Sequence, residues 1–283
     1  MRARSRRLSA AVSSREGRNP PANLGAHRAV RRLARRLVGV VDPHGTAAVL
    51  LAGSWARGDA HEASDIDLWV IGRRTRRSHR ILEREGRMVC VSYLTPAAAR
   101  REMRNPARLD GAVPGWRVAR ILRDPDGVAA QLKAEARRFR WSSIRRERDR
   151  YLAEQLVGWA EEVSKLLRAM ERGERETASV QRNLLADHMA FLRLLPLERL
   201  WDTENGLWER AAEWAGPRFA SAQRSALGTR TSGWRASCEG ALRLYSLTAS
   251  ANLGVLRGEK RRIVADACRR AGYPIDDRGP GRD

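Results

Sequence analysis

The stretch AAVLLAGSWARGDAHEASDIDLWVIG, residues 47–72, sets Gly53 and Ser54 after a short apolar run and puts Asp65 and Asp67 at the head of another. In a strand, residues i and i+2 face one side. Asp65 and Asp67 therefore share a face, while Ile66 and Leu68 point into a core. Asp is a poor strand former, and two adjacent carboxylates repel unless a cation sits between them. Oxygen donors suit a hard ion such as Mg²⁺, which keeps positions open for phosphate oxygens. Glycine lets the backbone turn sharply and lets phosphate approach its N–H groups, and Ser54 adds a hydroxyl donor. The pattern fits a nucleoside triphosphate held with its metal, the cation easing departure of pyrophosphate. In the plainer alternative Asp65 caps a turn and Asp67 lies on the surface, which leaves two aspartates in an apolar strand unexplained.

These residues need strands to carry them. Ala47 to Leu51 reads as a short apolar strand, Asp65 to Ile71 as a second, and Arg87 to Leu94 (RMVCVSYL), rich in β-branched residues, as a third. Ahead of them, Ala29 to Val41 has helical periodicity, with Leu33, Leu37 and Val40 inward and Arg31, Arg32, Arg35 and Arg36 outward. Arg73 to Glu85 reads as a charged helix or excursion, and Trp116 to Leu122 as a further helix. Thr95-Pro96 has the form of an N-cap followed by Pro at the first helical position. From Val128 helical periodicity takes over. Helices are expected over 128–139, 144–172, 178–195, 207–214, 233–256 and 261–271. Strands first and helices later predict an α+β chain, a small mixed-sheet domain followed by a helical bundle. The expected limits are a basic disordered tail over 1–22, the sheet domain over 23–127, the helical domain over 128–275 and a disordered tail over 276–283.

The chain has 283 residues, 42% of them hydrophobic, enough for one large or two small cores. A formal net charge of +22 invites a nucleic-acid partner. The positive charge is nearly all arginine, the only lysines being Lys133, Lys165 and Lys260, and it is spread along the chain rather than gathered in a stripe. A GC-rich coding sequence accounts for such arginine, so nucleic acid is not the favoured partner. Cys90, Cys238 and Cys268 have no metal spacing and an odd count, which fits a reducing cytoplasm. No run is long and apolar enough for a membrane span. The basic, Ser-rich start lacks the apolar core of an export signal.

The motif resembles the nucleotidyltransferase superfamily of the polymerase-β type. That family's signature is an apolar residue, Gly-Ser or Gly-Gly, a short gap, then Asp-apolar-Asp-apolar. Leu51-Ala52-Gly53-Ser54 and Asp65-Ile66-Asp67-Leu68 fit it, and Ala56-Arg57-Gly58-Asp59 with Ser64 is similar to the stand-alone members. The later half is similar, more diffusely, to antibiotic-modifying members such as the aminoglycoside nucleotidyltransferases. The resemblance implies that Gly53 and Ser54 hold the triphosphate, with Arg57 and Ser64 near it, and that Asp65 and Asp67 bind Mg²⁺. It implies ATP or another nucleoside triphosphate as donor and a small-molecule hydroxyl, such as that of an aminoglycoside-like antibiotic, as acceptor.

The family usually carries a third carboxylate on a following strand, and Met88 to Leu94 has none. Cys90 or Ser92 stands there, depending on register, and neither replaces a carboxylate well toward Mg²⁺. A carboxylate drawn from the helical half would point to Glu161 and Glu162, although Glu161 and Lys165, at i and i+4, also suit a plain salt bridge. Alternatively the module binds nucleotide as a regulatory or antitoxin-like unit with weakened catalysis, fused to a HEPN-like helical domain. The run Arg182 to His188 resembles the ribonuclease motif of such bundles, while Leu184, Leu185, Phe191 and Leu192 suit a helix facing a core. The six tryptophans after residue 140 (Trp141, Trp159, Trp201, Trp208, Trp214 and Trp234) suit helix packing better than ligand stacking.

Overall fold

The computed structural model describes residues 24–45, 47–75, 78–201, 203–230 and 233–275; the tails expected at 1–22 and 276–283 lie outside them. At its centre is a sheet in the order β3-β4-β2-β1-β5. Its strands are β1 (Ala48–Leu51), β2 (Ile66–Ile71), β3 (His79–Arg84), β4 (Arg87–Leu94) and β5 (Arg120–Arg123). β2 and β4 run parallel, and the other neighbouring pairs are antiparallel, so the sheet is mixed and the chain α+β.

The two sheet faces bury different partners. Val49, Leu51, Ile66, Leu68, Val70, Val89 and Val91 pack on α1 (Leu24–Val41) through Val30, Leu33, Leu37 and Val41. Helical spacing puts these four on one stripe. Val40, expected inward, is 41% exposed and Val41 takes its place. The buried Asp42 closes this layer: it accepts from the backbone N–H of Ala47 and pairs with Arg123 of β5.

Ala48, Leu50 and Ile71 on the other face join a core that runs on into the helical half. Here lie α3 (Pro96–Glu102), α4 (Leu109–Val118) and α5 (Val128–Arg138). Thr95 caps α3 by accepting from the Ala98 N–H, with Pro96 in the first turn as its sequence predicts. Lys133 of α5 donates to the carbonyls of Trp116, Arg117 and Ala119, satisfying the orphan acceptors at the end of α4. Arg100 of α3 grips Glu135 of α5 through two nitrogens.

Beyond them α6 (Arg145–Arg172), α7 (Arg175–Leu194), α8 (Leu207–Ala215), α9 (Pro217–Ala226), α10 (Trp234–Ala251) and α11 (Gly258–Arg270) pack around Leu156, Leu166, Leu185, Leu244 and Tyr245. The Tyr245 hydroxyl donates to the Leu156 carbonyl, joining α10 to α6. Trp201 is fully buried, and the other five tryptophans of this half lie against the same core. None of the helices among the described residues is long and apolar enough to cross a membrane.

Two elements differ from the sequence expectation. Residues 79–84, expected to be helical or irregular, form edge strand β3. It is joined to β4 by Glu85 and Gly86, both at positive φ, as a two-residue hairpin turn requires. Glu at such a position is uncommon, and the charged HRILER run suits an exposed edge rather than a core. The helix expected over Trp116 to Leu122 is cut short: α4 ends at Val118, and residues 120–123 form edge strand β5.

Where β2 meets α4, Trp69 packs at a tilt against Trp116, their rings 4.9 Å apart. A Cβ on Gly115 would stand 2.8 Å from the Trp69 ring. Gly115→Ala is therefore expected to lower the unfolding free energy by about 1–3 kcal/mol, although alanine is the better helix former. Trp69→Phe in the same chain should return part of that loss. Urea unfolding of the two single variants and the double variant measures it, and equal losses in both backgrounds would exclude the contact.

Candidate functional site

Asp67 lies in β2 and Asp65 one residue before it, with Ile66 and Leu68 fully buried on the opposite face. The parallel pairing sets Asp67 beside Cys90 and Trp69 beside Ser92. Register thus places Cys90, not Ser92, in the row of the carboxylates. Cys90 donates its S–H to Asp65 Oδ2 at 3.3 Å. One ligand atom from each of Asp65, Asp67 and Cys90 lies within 4.8 Å of the others, and no other such group of three occurs among the described residues.

Gly53 opens the five-residue helix α2 (Gly53–Arg57) with φ +61°. A Cβ there would stand 1.9 Å from Asp67 Oδ2, so only glycine lets that carboxylate lie against the backbone. The Ala52 N–H donates to the Asp67 carbonyl at 2.9 Å and fixes α2 against β2. The indole of Trp55, buried under α2, donates to the Ser64 carbonyl, and the Ser64 hydroxyl accepts from the His61 N–H. Ser64 is thus engaged in shaping the loop ahead of Asp65. Arg57 bonds Asp59 at 3.0 Å, and its charge also reaches Asp67.

Burial, then the charge of Asp65, push the Asp67 carboxyl from 3.8 up to about 6, against the pull of Arg57 and His79. Burial, the bond to Asp65 and the two carboxylates push the Cys90 thiol up to about 11. Negative charge is in excess here, the condition a bound cation relieves.

The sheet face carrying Asp67 and Cys90 is open at this end: Ile81, their neighbour on β3, is 61% exposed. One row further along the strands, about 7 Å on, begins a cavity of about 660 Å³ bounded by Trp69, His79, Ser92, Glu102, Arg108 and Thr203. Burial raises the Glu102 carboxyl above its ordinary range. No motif marks Glu102; only its place at the end of α3 brings it here. A larger cavity of about 930 Å³ lies at the other end of the strands, but its carboxylates are spent, Asp42 on Arg123 and Asp126 on Arg73.

Glu161 and Glu162 do not join the aspartates. Both pair with Lys165 at 2.9 Å on α6. Nor do Arg182 and His188 converge. Arg182 bonds Asn183, while His188 donates from Nδ1 to the Leu184 carbonyl and lies against Trp159, the rings 4.0 Å apart. Leu185 and Leu192 of this helix are buried, but Leu184 is 38% exposed.

With its carboxyl raised, Asp67 costs stability when ionised. The cost is absent below about pH 4, where folded and unfolded chains both carry the proton, and is full above about pH 6. Asp67→Asn is therefore expected to stabilise the cation-free chain by about 1–3 kcal/mol at pH 7.5, the gain vanishing toward pH 4. Urea unfolding in a chelator at both pH values checks this; a destabilised variant at pH 7.5 would contradict it.

Residues 34–112 match the family model described as a nucleotidyltransferase domain. Among solved structures, the nucleotidyltransferase-like protein of Exiguobacterium sibiricum 255-15 superposes with a TM-score of 0.53 at 16% identity. The match covers 84% of this chain and 80% of that one, a likeness of fold that extends through the helical half. No curated protein sequence matches the chain. The matched segment holds α2, the aspartate pair and β1 to β4; over these residues the chain is similar to the nucleotidyltransferase domain.

Proposed function

We propose that the chain transfers a nucleoside monophosphate, AMP from ATP being the expected donor, to a hydroxyl group of a small molecule. The observation that supports this reading is the close approach of Gly53 to the Asp67 carboxylate, beside Asp65; a phosphate-binding turn would there lie against a pair of metal ligands. Asp65 and Asp67 hold the divalent cation, for which Mg²⁺ is the sequence expectation. That ion supplies charge neutralisation and alignment of the triphosphate. The backbone N–H groups at Gly53 and Ser54, with the Ser54 hydroxyl, hold phosphate oxygens, and Arg57 adds positive charge beside them.

The acceptor occupies the cavity between Trp69, Ser92 and Glu102. Its size is that of a small-molecule site, and Thr203 brings the helical half to its wall. Serine, threonine and histidine side chains offer hydrogen bonds to hydroxyls, and Glu102 can accept from the one that reacts. That oxygen attacks the α-phosphorus, the bond to pyrophosphate breaks, and the hydroxyl proton passes to a carboxylate or to water. Glu161 and Glu162, held by Lys165, stay outside this step. An aminoglycoside-like acceptor follows from family analogy alone.

Cys90 in the third position favours one other reading, a regulatory module that binds nucleotide without turning it over. Incubation with ATP, a divalent cation and a panel of hydroxylated small molecules, followed by pyrophosphate release, separates the two. Transfer is expected, and Asp67→Asn or Gly53→Ala should reduce it at least about a hundredfold. ATP binding without pyrophosphate release from any acceptor would support the regulatory module, and undiminished transfer by Asp67→Asn would sink the metal role.

A further inference from the structure

We infer that Cys90 is the third protein ligand of the cation site and that it turns the site toward a thiophilic divalent ion of the Zn²⁺ class rather than Mg²⁺. The inference rests on the metal role proposed for Asp65 and Asp67. Three observations support it. Register puts the Cys90 side chain in the row of Asp67, on the face that bears both carboxylates. Its Sγ lies 3.3 Å from Asp65 Oδ2, and one ligand atom from each of the three residues falls within 4.8 Å of the others. Gly53 leaves out a Cβ that would occupy the space taken by Asp67 Oδ2, so that carboxylate keeps its place on the shared face.

The donor set selects the ion. Zinc holds sulfur at about 2.3 Å and carboxylate oxygen at about 2.0–2.2 Å, so sulfur and oxygen on one tetrahedral edge stand about 3.5 Å apart, close to the spacing found here. Three protein donors plus one open position is the pattern of zinc sites that accept a further oxygen, here from phosphate. Mg²⁺ takes oxygen donors in an octahedron and gains little from sulfur. On binding, the S–H bond breaks, its proton passes to solvent and a sulfur–metal bond forms. Asp65, relieved of the thiol proton, gains an oxygen lone pair for the same ion. Cys238 and Cys268 are buried in the helical core and take no part.

Cadmium is the probe, because thiolate ligation gives it an ultraviolet charge-transfer band. Titration of the full chain with Cd²⁺ is expected to produce this band at one equivalent and to resist a hundredfold excess of Mg²⁺. Cys90→Ser should abolish the band and weaken Cd²⁺ binding at least tenfold by calorimetry, with Mg²⁺ binding changed less than twofold. Cys90→Asp, which supplies a third carboxylate, should strengthen Mg²⁺ binding at least tenfold. No band in the wild-type chain, a band that survives Cys90→Ser, or unchanged Mg²⁺ binding in Cys90→Asp would overturn the inference. Binding of ATP by the same samples separates the two readings: a cadmium band without ATP binding sinks the donor site alone, and ATP binding without a band sinks only the thiol ligand.

Discussion

Two carboxylates held side by side at the head of a central strand are the constraint on which the rest of the site depends. Unsatisfied, they repel each other and resist burial, and the raised carboxyl of Asp67 records that cost. The fold keeps them together by fixing everything around them. Ile66 and Leu68 anchor β2 in the core below, Ala52 bonds the Asp67 backbone, and Gly53 yields the space its side chain would take. A charge arrangement this unfavourable in isolation marks a candidate functional site.

The helices serve the same end from the other side. α4 meets the sheet at Trp69, where Gly115 admits the indole. The next row is Asp67 and Cys90, both half-buried, and Ile81, which is exposed. The cavity beyond it is walled by the end of α3 and by Thr203 of the helical half. Asp67, Cys90 and the cavity therefore sit on one sheet face, a row apart, as the proposed in-line transfer between two bound molecules would require.

The central part of this layout is legible in the sequence because it is local. Gly53, Ser54, Asp65 and Asp67 fall in one short segment, and strand periodicity alone puts the aspartates on one face. β4 and the cap on α3 are equally local, and both form as their residues predict. What the sequence hides is set by pairing. Choosing Cys90 over Ser92 requires the β2–β4 register, a contact between strands separated by a hairpin. β3 is masked by its charged edge and by a glutamate at a turn position that glycine or asparagine usually fills. β5 is a four-residue strand whose assignment comes from pairing with β1. Glu102 reaches the cavity through the packing of α3, whereas Glu161 and Glu162, the carboxylates helical spacing brings to notice, are paired on α6.

Residues 34–112 are similar to a nucleotidyltransferase domain, and beside their aspartate pair stand the Cys90 thiol and, in the neighbouring cavity, Glu102. The central claim is that Asp65, Asp67 and Gly53 form one cation–triphosphate site. Anomalous diffraction from crystals grown with Mn²⁺ and a non-hydrolysable ATP analogue tests it most directly. The account predicts a manganese peak between the Asp65 and Asp67 carboxylates, with the analogue's phosphates against Gly53 and Ser54. Manganese and phosphates bound elsewhere, with both aspartates unligated, would contradict it.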